Sequence, residues 1–328
     1  MAKTLVGIDI GNSSVKITEL IKKGKILTLS ACGLKTLPSG ASPEEQIKAL
    51  KELHKELGIN EKEVSISVCG KDIISRYVIF PPLSRDALVR SLKFEFEKYI
   101  PFPLNDCVVD IDVFDKRPDG RLNVLIVSAK KYFIQERLNL LKQGGFIPKF
   151  INIDSLSLYK TFMESPYFVK NSSFILLNLG CFITNMLIVN QKTPVFSRDI
   201  HIAGQNFTHA ISERMDLSPD KAESLKCSPQ AGTLLETTLA PDLTALVDEI
   251  TLSIEYAKKN YDLKDIKCVY ISGGSSKLNG LDKFFENKLK IRVESWNPFA
   301  TIKKNKTFEI LETSYPDLTL SLGIAMSQ

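Results

Sequence analysis

The sequence predicts a mixed α/β protein of two similar halves, with a smaller α+β unit inserted into the first half. Two patterns support this fold class. A strand, a glycine turn and a second strand occur twice, near residues 11 and 180, and a later apolar strand, 267–272, ends in two glycines before a helix. The chain has 328 residues, which suits two domains or one with a large insertion, since domains typically hold about 100–200 residues.

Composition excludes several other classes of protein. Hydrophobic residues make up 44% and charged residues 25% of the chain, so a disordered or fibrous protein is not expected. No apolar run approaches the roughly 18 residues of a transmembrane helix. The chain opens with MAKTLVGIDIG, which enters a strand pattern at once. We therefore expect no signal peptide and a cytoplasmic protein.

Charge and metal-ligand spacing give no independent functional signal. The net charge is +5, from 43 basic and 38 acidic residues, which is too mild to argue for nucleic acid, and we expect no such partner. The six cysteines and three histidines show no metal-binding spacing.

The first half begins as a hairpin followed by further strands and one helix. Its strands are expected at 4–10, 14–21, 25–33, 64–69 and 73–80. Ser42 and Glu45 form a capping box ahead of a helix in which apolar residues recur at helical spacing. Gly58 is placed to end this helix in a left-handed conformation.

An inserted unit follows Pro81 and Pro82, where the pattern changes. We expect a helix at 84–99, strands at 107–114 and 122–129, a helix at 132–143 and a strand at 147–153. This α-β-β-α-β order can close as a small α+β layer. The sequence therefore predicts an insertion over about 84–150.

The second half repeats the strand pattern of the first. Strands are expected at 174–179, 184–190, 194–201, 267–272 and 290–296, and helices at 155–163, 205–214, from 218 onward, 240–260, 278–288 and 316–327. The two hairpins lie about 170 residues apart, so they indicate two similar halves that face each other rather than a solenoid.

The first glycine turn has the residues of a phosphate site. Gly11 permits a tight turn whose amides face an anion, and Ser13 and Ser14 add hydroxyl donors. Asp9 is suited to hold Mg²⁺ through water, and Lys16 to neutralise a phosphate. An ordinary hairpin with a polar turn is the alternative interpretation.

Two later segments repeat this chemistry. In the second turn Gly180 precedes the hydroxyl of Thr184. Gly273 and Gly274 lie between an apolar strand and a helix, where a flat nucleoside can approach the backbone and a helix N-terminus favours an anion. A simple strand–helix connection is the alternative for this third segment.

Together, in this order, the three segments resemble the phosphate-1, phosphate-2 and adenosine motifs of the actin/hexokinase/Hsp70 ATPase superfamily. The chain is most similar to the PilM family of type IV pilus assembly proteins, relatives of the cell-division protein FtsA. Four segments carry this resemblance: LVGIDIGNSSVKITEL at the start, EKYIPFPLNDCVVD at 97–110, VFSRDIHIAGQNFTHAI at 195–211 and SYPDLTLSLGIAM near the end. The implied fold is a two-lobed, actin-like (ribonuclease H-like) ATPase fold with an FtsA-type 1C subdomain.

The resemblance implies a division into subdomains. The expected boundaries are 1–83 for the first part of 1A, 84–150 for the inserted 1C, 151–170 for the return to 1A, 171–310 for 2A and 2B, and 311–328 for the C-terminal return to 1A.

The resemblance also places ATP and Mg²⁺ in the cleft between the halves. The implied ATP-binding residues are Asp9, Gly11, Asn12, Ser13, Ser14, Lys16, Gly180, Thr184, Gly204, Glu223, Lys226, Gly273, Gly274 and Ser275. Asp9 and Asp154 are the candidates for Mg²⁺ through water, although Asp154 is equally suited to cap the helix that follows it.

One departure from the superfamily pattern bears on catalysis. The second phosphate motif usually carries an aspartate, but this chain has Asn178. An amide cannot act as a general base and is a poorer Mg²⁺ partner. No catalytic residue is identified, so we expect a nucleotide-binding scaffold that is at most a weak ATPase.

Partners are implied by the resemblance alone. A PilM-like protein would bind the N-terminal cytoplasmic tail of PilN between subdomains 1A and 1C, in a groove around 73–80 and 101–113. It would link the PilN/PilO complex to the pilus motor, lie at the inner membrane through its partner, and self-associate through 1C. The alternatives are a filament-forming cytoskeletal ATPase like FtsA or MreB, and a small-molecule kinase of the same superfamily.

Overall fold

Three sheets organise the structure, a computed structural model that describes residues 2–327 apart from the side chain of Lys93. The first sheet contains β1 (Lys3–Ile10), β2 (Ser14–Lys23), β3 (Ile26–Thr36), β4 (Glu63–Val68), β8 (Ile147–Ile153) and β14 (Lys303–Lys304). Their spatial order is β14-β3-β2-β1-β4-β8. The β1–β2 and β2–β3 pairs are antiparallel, whereas β4 runs parallel to both β1 and β8.

The second sheet has a similar beginning. It contains β9 (Ser173–Leu179), β10 (Thr184–Asn190), β11 (Thr193–Ile200), β12 (Ile266–Ser272) and β13 (Val293–Ser295). Their order is β11-β10-β9-β12-β13, with an antiparallel β9–β10–β11 meander and β12 parallel to β9. One face is covered by α5 (Gly204–Met215), α6 (Pro219–Lys226), α7 (Ala240–Asn260) and α8 (Leu281–Leu289).

Two helices, α4 (Asp154–Met163) and α9 (Ile310–Met326), lie between these two sheets. Strand alternation separates the faces of the first sheet, because Leu5 packs with α9 while Val6 packs with α1 (Pro43–Glu56). In the second sheet Phe174 packs with α4 and α9, and its neighbour Ile175 packs with the outer helices. The two helices are thus buried on both sides and join the halves.

The third sheet forms the inserted unit. Its strands β5 (Ile73–Phe80), β7 (Leu122–Lys130) and β6 (Cys107–Lys116) lie in the order β5-β7-β6, with α2 (Arg85–Tyr99) packed on one face. This sheet spans 73–130, so its limits do not coincide with the predicted insertion at 84–150. The reason is pairing. β5 is antiparallel to β7, whereas β8 joins the first sheet and α3 (Lys131–Gln143) packs on β8.

Helix signals in the sequence are confirmed where capping is local. Ser42 and Glu45 form both bonds of the capping box, and Gly58 has a φ of 66° beyond the end of α1. The closing helix, however, begins at Ile310, so Pro316 lies inside it rather than at its start. The eighth helix begins at Leu281, after a 3₁₀ turn over Gly274–Lys277, and β13 is shorter than the predicted strand at 290–296.

No helix among residues 2–327 is both long enough and apolar enough to cross a lipid bilayer.

Candidate functional site

A cavity of about 210 Å³ lies between the two halves. It is formed where β1, β4, β9, β10 and β12 end or begin and where α4 starts. The predicted site residues that line it are Asp9, Gly11, Asn12, Ser13, Lys16, Asp154, Gly180, Gly273 and Gly274. The structure therefore brings all three glycine-containing segments to one cavity.

The two glycine turns have the same local geometry. The Gly11 N–H donates to the carbonyl of Ser14 over 3.1 Å, and the Gly180 N–H donates to that of Ile183 over 3.0 Å. A Cβ atom at Gly180 would lie 2.8 Å from the Ile183 oxygen, and one at Gly11 would lie 3.0 Å from the Ser14 oxygen. A side chain would therefore clash at Gly180 and crowd the turn at Gly11, and both turns present backbone to the cavity.

An ion pair stands beside the first turn. Asp9 and Lys16 are direct cross-strand neighbours on β1 and β2. Their side chains, 15% and 13% exposed, approach to 3.0 Å between the Asp9 Oδ2 and the Lys16 Nζ. The adjacent Ser14 is buried and does not line the cavity. The pair thus holds one carboxylate and one ammonium at the cavity wall.

A second group of predicted residues lies behind the Gly180 turn rather than in the cavity lining. The Gly180 carbonyl accepts from the Gly204 N–H at 3.1 Å and from the Ser275 hydroxyl at 2.9 Å. A Cβ atom at Gly204 would overlap the Ser275 hydroxyl. Thr184 is fully buried and donates to the Ile202 carbonyl. These residues fix the shape of the turn.

Lys226 organises the same region. Its Nζ donates to the Gly204 carbonyl at 3.1 Å, to the Thr208 hydroxyl at 2.8 Å and to Glu223 Oε2 at 2.6 Å. Burial acts to raise the pKa of the Glu223 carboxyl, but the hydrogen bonds from Lys226 and Thr208 outweigh it, so this pKa lies below its usual range. Glu223 is thereby held as a carboxylate one helical turn from Lys226.

Asp154 is the buried carboxyl of the cavity. It is the first residue of α4, and Ile153 occupies the N-cap position, so the alternative in which Asp154 caps this helix does not hold. Its Oδ1 accepts from the Ser67 hydroxyl at 2.5 Å. Burial, and then the charge of Asp9, raise the pKa of Asp154 from 3.8 to about 7, although hydrogen bonds from Ser67 and Cys69 act against them.

Asp154→Asn should remove a pH dependence of stability. Because the folded-state pKa is raised to about 7, folding takes up a proton between about pH 4 and 7, and stability falls as pH rises through that window. In nucleotide-free protein at pH 8, the free energy of unfolding of D154N should exceed that of wild type by roughly 2–4 kcal/mol. This range follows from about 1.4 kcal/mol per unit of pKa shift. Urea unfolding across pH measures this difference, and one that stays constant from pH 4 to 8 would contradict the assignment.

A chain of hydrogen bonds that sequence reasoning missed crosses between the halves. The Asn178 amide donates to Asn185 at 3.0 Å, and the Asn185 amide donates to Asp199 at 2.9 Å. Asp199 then accepts the Gly70 N–H of the first half at 2.7 Å. Asn178 is thus an anchored amide rather than a free group, and only the resemblance of the segment 195–211 pointed toward Asp199.

Two carboxylates of the cavity are candidate ligands for a divalent cation. Among residues 2–327, no three His, Cys, Asp or Glu side chains converge as direct metal ligands. Asp9 and Asp154 nevertheless line one cavity, and their oxygen atoms are the donor type that Mg²⁺ prefers. Because Mg²⁺ keeps part of its water shell, two such carboxylates fit an ion held through water.

The family model described as "Type IV pilus assembly protein PilM" matches residues 7–328. Among solved structures, a chain of a PilM-PilN type IV pilus biogenesis complex superposes with a TM-score of 0.87 at 23% identity, covering 98% of each chain. The ethanolamine utilization protein EutJ of Carboxydothermus hydrogenoformans gives 0.58 at 14% identity, covering 99% of this chain and 89% of EutJ. MreB5 of Spiroplasma citri bound to ADP gives 0.53 at 11% identity, covering 98% and 94%. These matches confirm the predicted actin-like ATPase fold.

Proposed function

The chain belongs to the PilM family of type IV pilus assembly proteins, and we propose that it is an ATP-binding scaffold of the inner-membrane platform that assembles the pilus. In this proposal a nucleotide occupies the cavity between the halves, and the N-terminal cytoplasmic tail of PilN occupies a groove beside the inserted sheet. The solved relative in complex with PilN supports the choice of partner.

The proposed nucleotide site is supported by the two glycine turns. Gly11 and Gly180 come from opposite halves, and each turn exposes backbone to the same cavity. Phosphates bind well between such backbone amides, with Lys16 supplying positive charge. The solved structures of MreB5 with ADP and with AMPPNP, which share this fold, support this use of the cavity.

The remaining groups divide between the two ends of the ligand. Asp9 and Asp154 would hold Mg²⁺ through water, and the bound ion would neutralise charge on the phosphates. Gly273 and Gly274 pack so closely on Leu179 and Asp317 that a Cβ atom would meet their oxygens at 2.9 Å or less. Both glycines also line the cavity, where their backbone would face the adenosine. Lys226 and Glu223 lie behind the Gly180 turn and would stand on the side of the ribose and base, with Ser275 supporting the turn.

Turnover is proposed to be slow. Asn178 cannot take a proton from water, and its amide is committed to Asn185. The cavity therefore fits retention of nucleotide better than rapid hydrolysis, so we assign the protein mainly a binding role.

One observation supports the proposed partner groove: the edge strands of two sheets lie on either side of one cavity. β6 is the edge of the inserted sheet and β8 is the edge of the first sheet. A cavity of about 530 Å³ lies between them. Its wall includes Val108 and Phe150, which are 50% and 48% exposed, and its rim carries Arg85 and Asp112. Free strand edges beside apolar pockets suit an extended peptide that adds a strand.

Site-specific photo-crosslinking tests the groove. A photoreactive phenylalanine analogue at Phe150 should crosslink to PilN in membranes that contain the pilus platform. The same analogue at Phe94, which is 91% exposed on α2 outside the groove, should not. Crosslinks to PilN from position 94 alone, or equally from both positions, would contradict this placement.

Attachment to the membrane would then follow from binding to PilN. Through PilN the protein would lie at the inner membrane and link the PilN/PilO complex to the cytoplasmic pilus motor. This link to the motor depends on the binding of PilN in the groove.

A further inference from the structure

The nucleotide cavity has a wall residue to which neither the motifs nor the family resemblance assigns a role, Arg137. It lies on α3, outside the three glycine-containing segments, and lines the cavity together with Phe133. The two side chains are four residues apart and so share one helix face. The Arg137 guanidinium carbon lies 5.3 Å from the centre of the Phe133 ring.

The Arg137 guanidinium is not engaged in an ion pair within the described residues. Arg198 and Arg214 pair with Glu249 and Asp242, but no carboxylate within residues 2–327 forms an ion pair with Arg137. The other cation of the cavity wall, Lys16, is already paired with Asp9. A half-buried guanidinium that rests on an aromatic ring is pre-organised to bind an anion with two parallel hydrogen bonds.

The position of α3 decides which part of a nucleotide would meet this guanidinium. The helix packs on β8 in the first half, which also contributes Asp154, Ser67 and the Gly11 turn to the cavity. The glycines assigned to adenosine, Gly273 and Gly274, belong to the second half. Arg137 therefore reaches the cavity from the same half as the Gly11 turn, the first of the two proposed phosphate turns.

We propose that Arg137 binds the terminal phosphate of a nucleoside triphosphate and makes the site prefer triphosphate over diphosphate. The inference rests on the proposed nucleotide site and goes beyond it by naming the residue that distinguishes the two ligands. A diphosphate lacks the group that Arg137 would contact, so its affinity should depend little on this side chain.

Calorimetric titration of the full chain with Mg-ATP and Mg-ADP tests the proposal. Arg137→Ala should lower the affinity for ATP by about tenfold or more, the size expected for losing a charge-assisted hydrogen bond. It should change the affinity for ADP much less. Arg137→Lys, which keeps the charge but loses the two-pronged geometry, should lie between wild type and R137A for ATP. Lys142→Ala, on an exposed part of the same helix, should leave both affinities unchanged.

Each outcome decides the matter. If R137A lowers the affinities for ATP and ADP equally, or changes neither affinity, the role assigned to Arg137 is overturned while the nucleotide site stands. If wild-type protein binds neither nucleotide, the proposed nucleotide site falls and this inference falls with it. Should R137A fail to fold in a thermal-unfolding control, R137K decides, and equal effects on the two nucleotides would overturn the proposal.

Discussion

Gly323→Ala should destabilise the protein by at least about 2 kcal/mol, because the cost of overpacking should exceed the small gain in helix propensity. Gly323 lies where α9 crosses α4 between the two sheets. A Cβ atom there would lie 2.7 Å from the carbonyl carbon of Ser157 and closer still to its oxygen and to the Thr161 hydroxyl. Because both helices are held between sheets, neither can move away without opening a packed interface.

Two opposing effects on the free energy of unfolding decide the result of this substitution. On an exposed helix, replacing glycine by alanine would stabilise the fold by about 0.8–1.0 kcal/mol. Overpacking a core usually costs about 1–3 kcal/mol and more when backbone must shift, and here the obstacle is the backbone of α4. The steric term should therefore exceed the propensity term.

Urea unfolding of matched variants measures this effect. Gly24→Asn changes a glycine with a φ of 62° and no neighbour within 4 Å of its Cβ position, and asparagine tolerates that conformation. It should shift stability by less than about 0.5 kcal/mol, as surface changes usually do. A G323A protein as stable as wild type would show that α4 and α9 do not cross as closely as described.

Lys16→Ala should lower the affinity for Mg-ATP by about 10- to 100-fold, the cost of losing one charge-assisted contact to phosphate. Lys16 lines the cavity beside the Gly11 turn and is 13% exposed, so bulk water screens its charge poorly. Removing it also leaves Asp9 as an unpaired negative charge near the phosphates, which adds repulsion. Both effects act in the same direction.

Lys23→Ala is the matched control for this substitution. Lys23 ends the same strand at an exposed position away from the cavity, so its loss should leave nucleotide affinity within about twofold of wild type. Calorimetric titration of both variants makes the comparison. Equal affinities of K16A and wild type for Mg-ATP would remove the first glycine turn from the proposed site.

Local patterns accounted for much of the fold. The hairpin around Gly11 and the capping box at Ser42 depend on residues within a few positions, and the structure has both where they were expected. The repeated glycine turn at Gly180 correctly indicated a second, similar sheet. The meeting of the three glycine-containing segments in one cavity followed from the family resemblance rather than from any of them alone.

Features that depend on distant packing could not be predicted from the sequence. Whether β5 joins the first sheet or the inserted one is decided by its pairing with β7, some 50 residues away. The closing helix was expected over 316–327, yet it begins at Ile310 and buries Pro316. The bond from Gly70 to Asp199 forms only when the two halves assemble. The place of Arg137 at the cavity depends on how α3 packs on β8.

In the proposed function, the scaffold holds the PilN tail in the groove between β6 and β8. A titration of the full chain with a synthetic N-terminal PilN tail from the same genome, in Mg-ATP, tests it most directly. We expect saturable binding at about micromolar Kd, near −8 kcal/mol. Val108→Asp with Phe150→Asp should weaken it by more than about tenfold through unpaired charge in an apolar groove, whereas Phe94→Asp should not. No binding by folded, nucleotide-loaded protein, or binding indifferent to the groove substitutions, would contradict the account.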